Sequence, residues 1–210
     1  MGASIHIPAI RFGKPYRSLD EIVIDQKGSG DESVTVSQVN AGLVRRDIGS
    51  MSAAFEKLGS QSAGELVASV RRAGDLFMEA TLPCGIDGPE QGPEEYLSAL
   101  SATTGLPLAL CRSNMKKLHA ACSQMDAILN GLTRGIGTGI FDDCLARQNG
   151  VEVSYFPAAD VLGVVLPSNS PGVNSLWLPA IAMKVPVALK PGREDPWTPY
   201  RLVQALIAGG

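Results

Sequence analysis

Two short polar loops carry the residue types most suited to chemistry. The first is Pro167-Ser168-Asn169-Ser170-Pro171, directly after the apolar run Val161 to Leu166. An asparagine just past a buried strand can aim its side-chain amide at a developing oxyanion. It can equally cap a turn or the next helix, as Asn often does. The second loop is Lys190-Pro191-Gly192-Arg193, after the apolar run Val185 to Leu189. Lys190 stands either where a ligand phosphate or ribose would lie, or at a solvated strand end. Cys84 in Leu-Pro-Cys-Gly is a weak nucleophile candidate. It has no neighbouring His or basic residue to lower its pKa, so an inert thiol is expected.

The elements that must position these loops follow from periodicity. Val161–Leu166 is a β-branched-rich apolar run, as expected of a strand covered on both faces. Ser175–Lys184 carries Leu176, Leu178, Ile181 and Met183 and predicts a helix, and Val185–Lys190 predicts a second strand. Strand, helix and strand make a βαβ unit. Ligands of open α/β sheets bind outside the carboxyl ends of the strands, where both loops emerge. No G-x-G-x-x-G accompanies them.

Further back, Leu66, Val70, Ala73 and Phe77 mark one face of a helix starting near Ser62. Glu94–Thr104 predicts a helix with Pro93 in its first turn and Gly105 at its end. After Pro107, Leu108, Cys111, Met115, Leu118, Cys122, Met125 and Leu129 predict one long helix with an apolar stripe. Glu21–Ile24 and Ser33–Ser37 alternate as short strands around a Lys27–Glu32 loop, and Val151–Phe156 as an exposed strand. Thr198 is suited to an N-cap and Pro199 to the first turn of a last helix ending near Ala208. A sheet of two parallel strands leaves edges and core incomplete, so the sequence reads as the front part of a larger protein. The expected division is an N-terminal arm over 1–60, a helical part over 61–150, and a strand plus the first βαβ over 151–210.

A hydrophobic share of 45% and a charged share of 19% fit a folded globular chain, and a net charge of −3 argues against nucleic acid as a partner. No apolar run is long enough to span a membrane. The N-terminus lacks a signal-peptide core, and His6 at the sixth position argues against myristoylation. Four scattered cysteines without C-x-x-C, and only two histidines, fit a reducing cytoplasmic setting and predict no metal site.

P-S-N-S-P followed across a helix by V-A-L-K-P-G-R-E-D-P-W-T-P resembles the aldehyde dehydrogenase superfamily, whose loops read P-W-N-F-P and V-V-L-K-P-S-E-x-T-P. Thr104-Gly105-Leu106-Pro107-Leu108 is similar to that family's T-G-K-P-L, and the likeness runs over about residues 60–210. It implies an α/β fold: part of a Rossmann-like NAD(P)-binding domain without the Gly-rich fingerprint, preceded by helices. It also implies Asn169 as an oxyanion donor, and a cofactor cleft of Leu166, Pro167, Ser168, Lys190, Gly192 and Arg193, with Lys190 on the adenosine ribose. The strand at Val151–Phe156 would belong to an oligomerisation hairpin of a full-length homo-oligomer. The catalytic cysteine and general base lie downstream in that family, so this chain alone is expected to be inactive. Ser168 and Ser170 replace aromatics, which is similar to acyl-CoA reductase branches and admits an acyl thioester as substrate in place of an aldehyde. Arg193 replaces a glutamate that binds the ribose hydroxyls, which implies a cofactor of NAD or NADP with tolerance of, or preference for, NADP(H). Glu194 stands one residue further on and takes that glutamate's role if the loop is shifted. A short nucleotide-binding or interaction module without chemistry is the reading from another class.

Overall fold

A computed structural model of the chain describes residues 5–27, 33–86 and 88–210. The N-terminal part contains β1 (Ile5–Ile7), β2 (Ala9–Arg11), β3 (Lys14–Tyr16), β4 (Glu21–Asp25) and β5 (Ser33–Ser37). The alternation at 21–24 and 33–37 becomes the antiparallel pair β4–β5, running from Glu21 opposite Ser37 to Asp25 opposite Ser33. β1 joins the other edge of β5 in parallel, giving the order β1-β5-β4. Residues 28–32 of the expected loop lie outside the described residues, as do residues 1–4 of the N-terminus. Ile7, Ile24 and Val34 anchor this sheet in the core. His6 Nε2 lies 2.8 Å from Ser37 Oγ, which also accepts the Ser18 N–H, so polar side chains knit β1 to β5. β2 and β3 form a separate hairpin, and α1 (Ala41–Gly49) and α2 (Ser52–Gly59) follow with no buried residue in either.

The centre of the molecule is α3 (Ala63–Glu79). Ser62 and Glu65 close a reciprocal capping box at its start, which fixes the helix register. That register turns Leu66, Val70, Ala73 and Phe77 inward together, as their spacing predicts. β6 (Leu82–Pro83) and β7 (Glu90–Gln91) form a short antiparallel bridge before α4 (Pro93–Thr104). Pro93 sits in the first turn of α4 and Gly105 ends it at φ +77, a conformation that glycine adopts without a Cβ clash.

The expected long helix is two, α5 (Leu108–Ser123) and α6 (Met125–Leu132), parted at Gln124 with φ −104 and ψ 24. Burial of the stripe from Cys111 to Leu129 continues across the break. Leu108 departs from expectation: it is the first residue of α5 and 48% exposed. Then come α7 (Ile140–Asp143), β8 (Leu145–Gln148) and β9 (Val151–Ser154). β8 and β9 form an antiparallel hairpin around Asn149-Gly150, both at positive φ, as a two-residue turn of this kind requires.

The remaining elements are β10 (Leu162–Val165), a 3-10 segment Pro171–Leu176, α8 (Leu178–Ala182), β11 (Val187–Lys190) and α9 (Trp197–Gly209). β10 and β11 pair in parallel, from Leu162 opposite Val187 to Val165 opposite Lys190. Two expectations are corrected here. β10 is not covered on both faces: Val164 packs on the core, but Leu162 and Val165 are exposed. The helix over Ser175–Lys184 is shorter. Pro179 has no N–H to return to Ser175, so α8 begins at Leu178, and Leu176 stands outside it, exposed. α9 also starts earlier than expected, at Trp197, with Asp195 Oδ1 accepting the Thr198 N–H at 3.0 Å.

α3 packs against α9, α5 and α8, which makes it the axis of the core. From α9, the buried Arg201 guanidinium donates to the carbonyls of Phe77 (3.0 Å), Gln91 (2.7 Å) and Ala80 (2.5 Å). It also lies over the rings of Phe77 and Tyr96. Three carbonyls at the end of α3 and on β7 are thereby satisfied by one side chain. Among the described residues no helix is long and apolar enough to cross a membrane.

Candidate functional site

The parallel pair β10–β11 delivers both sequence-nominated loops to one edge. Their ladder runs one step past β10, because Leu166 N–H donates to Lys190 C=O at 2.9 Å. Leu166 is therefore buried at the root of the first loop, while Pro167 and Asn169 are exposed beyond it. The second loop folds directly against the first. A Cβ on Gly192 would lie 2.5 Å from Pro167 C and from Ser168 N, and 2.6 Å from Pro167 O. Only a residue without a side chain permits that approach. Glu194 N–H then reaches Ser168 Oγ at 3.4 Å.

A buried polar lattice holds the second loop from below. Thr103 Oγ1, in the last turn of α4, donates to Glu194 C=O at 2.7 Å and accepts the Trp197 indole N–H at 3.0 Å. Tyr96 of α4 bonds Thr198 at 2.9 Å. Thr198 is thus a buried link between helices rather than the expected N-cap. Asp195 is 1% exposed, and its Oδ2 has no hydrogen-bond partner in the structure. Burial pushes its carboxyl up to about 6, against the lowering effect of the Thr198 donors. Glu194, half-buried one residue earlier, is held below the usual carboxylate range. The Ser168 hydroxyl is the main cause, and the charges of Arg193 and Lys27 add to it.

The rim above this floor is Asn169, Lys190 and Arg193, all exposed. Within the described residues the Asn169 amide makes no hydrogen bond, and Ser170 rather than Asn169 occupies the N-cap position of the 3-10 segment. Lys190 makes no ion pair there either. The structure thus brings Leu166, Pro167, Ser168, Lys190, Gly192 and Arg193 together, with Asn169 on the same loop. Sequence reasoning missed Thr103 and Lys27. The Thr-Thr-Gly helix end hinted at the first, and no local pattern marked the second. Cys84 is buried on the core side, and its thiol is pushed up to about 11 by burial, with Arg201 opposing weakly. A thiol in that state is inert as a nucleophile.

No protein-family model matches the sequence, and no curated protein matches it. Solved structures match over nearly the whole chain. An NAD-dependent aldehyde dehydrogenase from Sinorhizobium meliloti superposes with TM-score 0.74 at 20% identity, covering 99% of this chain and 39% of that one. An NADP-dependent enzyme from E. coli gives TM-score 0.71 at 16% identity, covering 98% and 40%. Proline utilization A from Bdellovibrio bacteriovorus gives TM-score 0.77 at 12% identity, covering all of this chain and 20% of that one. The architecture is therefore a part of the aldehyde dehydrogenase fold. The chain spans about two fifths of the length of the aldehyde dehydrogenases it matches.

Proposed function

We propose that this chain is the cofactor-binding part of an NAD(P)-dependent aldehyde dehydrogenase-like oxidoreductase. The observation that supports this best is the pair of loops at the carboxyl ends of β10 and β11. They are pressed together by Gly192 and present Lys190, which makes no ion pair among the described residues, within a fold shared with such enzymes. Those features fit a dinucleotide, because Gly192 lets the two loops close into one edge and the rim offers a cation for a polar, anionic ligand. The bound nicotinamide would supply hydride acceptance or donation. Lys190 would hydrogen-bond the adenosine ribose. Leu166, Pro167 and Ser168 would form one wall of the cleft, and Gly192 and Arg193 the other. Asn169 would donate its amide to an oxyanion of the substrate.

In the whole protein, a cysteine outside these residues would attack an aldehyde, so the chain by itself should turn over no substrate. A homo-oligomer is proposed for the whole protein, with the β8–β9 hairpin in its interface, since Leu145 and Val151 project from that hairpin exposed. The small side chains of Ser168 and Ser170 favour a second reading, an acyl-CoA-reducing enzyme acting on an acyl thioester. Dependence of full-length activity on CoA separates the two. The direct test is calorimetric titration of the chain with ADP-ribose. Saturable binding that Lys190→Ala weakens about tenfold is expected, as for loss of a charged hydrogen bond. Absence of binding, or an NAD(P)H burst with any aldehyde from this chain alone, overturns the reading.

A further inference from the structure

Lys27 lies just past β4, far in sequence from the cleft, yet the fold ties it to the same corner. Its backbone N–H donates to Ala102 C=O at 2.9 Å, in the last turn of α4. Its side chain follows the helix end, where a Cβ on Gly105 would lie 3.3 Å from Lys27 Nζ. Thr103, in that same turn, holds the Glu194 carbonyl at 2.7 Å. Glu194 N–H in turn points to Ser168 Oγ. One helix end thus connects an exposed ammonium to the loop that carries Arg193 and Glu194.

The plainest role for Lys27 is to offset the carbonyls at the C-terminus of α4, which a cation there does favourably. Two observations point further. Among the described residues no carboxylate lies within ion-pair distance of Lys27 or Arg193. The Glu194 carboxyl also feels the charge of both. Among the described residues, two exposed cations against Glu194, the one part-exposed carboxylate of this loop, leave a surplus of positive charge at the surface. A ribose with free hydroxyls requires no such surplus, whereas a phosphate does.

We propose that Lys27 and Arg193 together hold a phosphate substituent of the bound nucleotide beside Glu194, so that Lys27 sets preference for the phosphorylated ribose. This rests on the cofactor-binding reading above, and it brings a residue from beyond the end of β4 into the cleft. The probes are 2′,5′-ADP and 5′-AMP, titrated calorimetrically into the 210-residue chain. The wild type binds 2′,5′-ADP more tightly. Lys27→Ala lowers that affinity about tenfold or more and leaves 5′-AMP unchanged, and Lys27→Arg restores the preference. The preference also shrinks when salt is raised from about 0.05 to about 0.2 M, because exposed charges are screened. If Lys27→Ala leaves both affinities unchanged, the proposal is wrong and the cleft stands. If it weakens both ligands equally, Lys27 only supports α4. If the wild type binds neither probe, the cleft reading fails and takes this proposal with it.

Discussion

Replacing Asp195 with Asn should change the pH dependence of stability in a calculable way. Asp195 is almost wholly buried, with one oxygen capping Thr198 N–H and the other without a partner. Burial raises its carboxyl to about 6, and an unfolded Asp titrates near 4. The folded chain therefore binds this proton more tightly than the unfolded chain. The stabilisation that results is fully present below about pH 4 and is lost as the pH rises through about 6. A shift of about two units is worth about 3 kcal/mol. The neighbours that feel Asp195 are Tyr96 and Cys111, both pushed up by burial first and by this carboxylate second, so neither titrates in that window. Asp195→Asn keeps an oxygen for Thr198 and removes the charge. The misfit of its amide hydrogens is the same at every pH, and carboxylates elsewhere cancel in the comparison. The difference in unfolding free energy, variant minus wild type, should rise by about 2 kcal/mol in favour of the variant between pH 4 and pH 8, where the unfolded Asp is already half ionised at the lower end. Urea melts followed through the buried Trp177 and Trp197 at four or five pH values measure it. A flat difference would show that Asp195 is solvated or paired, and a difference of opposite sign would show a cation beside it.

Two further outcomes follow from packing. Gly192→Ala puts a methyl group against the Pro167–Ser168 backbone, which cannot rotate away, and should cost about 1–3 kcal/mol in urea melts; an unchanged midpoint would mean the loops do not touch. Iodoacetamide at pH 8 should label the exposed Cys144 and spare the buried Cys84, Cys111 and Cys122, read by peptide mass mapping. Labelling of Cys84 at the rate of Cys144 would contradict the burial of that segment.

Much of this fold is legible in local pattern. Ser62, Pro93 and Gly105 mark helix ends through backbone chemistry that needs no tertiary partner, and all three act as their types suggest. The two site loops are legible for the same reason: each is a polar, proline-bounded break after an apolar run. The errors fall where distant groups decide. Gln124 carries no breaking residue type, yet the apolar stripe is divided there. Pro179 shortened α8, a signal that the apolar count over 175–184 outweighed wrongly. Asn149-Gly150 marks the turn of the β8–β9 hairpin, while alternation in the sequence marks only its second strand. Lys27 had no signal at all, because its place beside Gly105 comes from the docking of the N-terminal sheet rather than from its neighbours in sequence.

Arg201 gives the assembly of this domain an order in time. During synthesis the end of α3 and β7 emerge more than a hundred residues before the guanidinium that satisfies their carbonyls. Until then those groups must stay wet, and the α3 surface that α9 will cover stays open. The core helix α3 is thus made well before the helix that seals it. In that interval the nascent chain presents the apolar face of α3 to whatever else is nearby, so escort by a holding chaperone matters most while α9 is still being made.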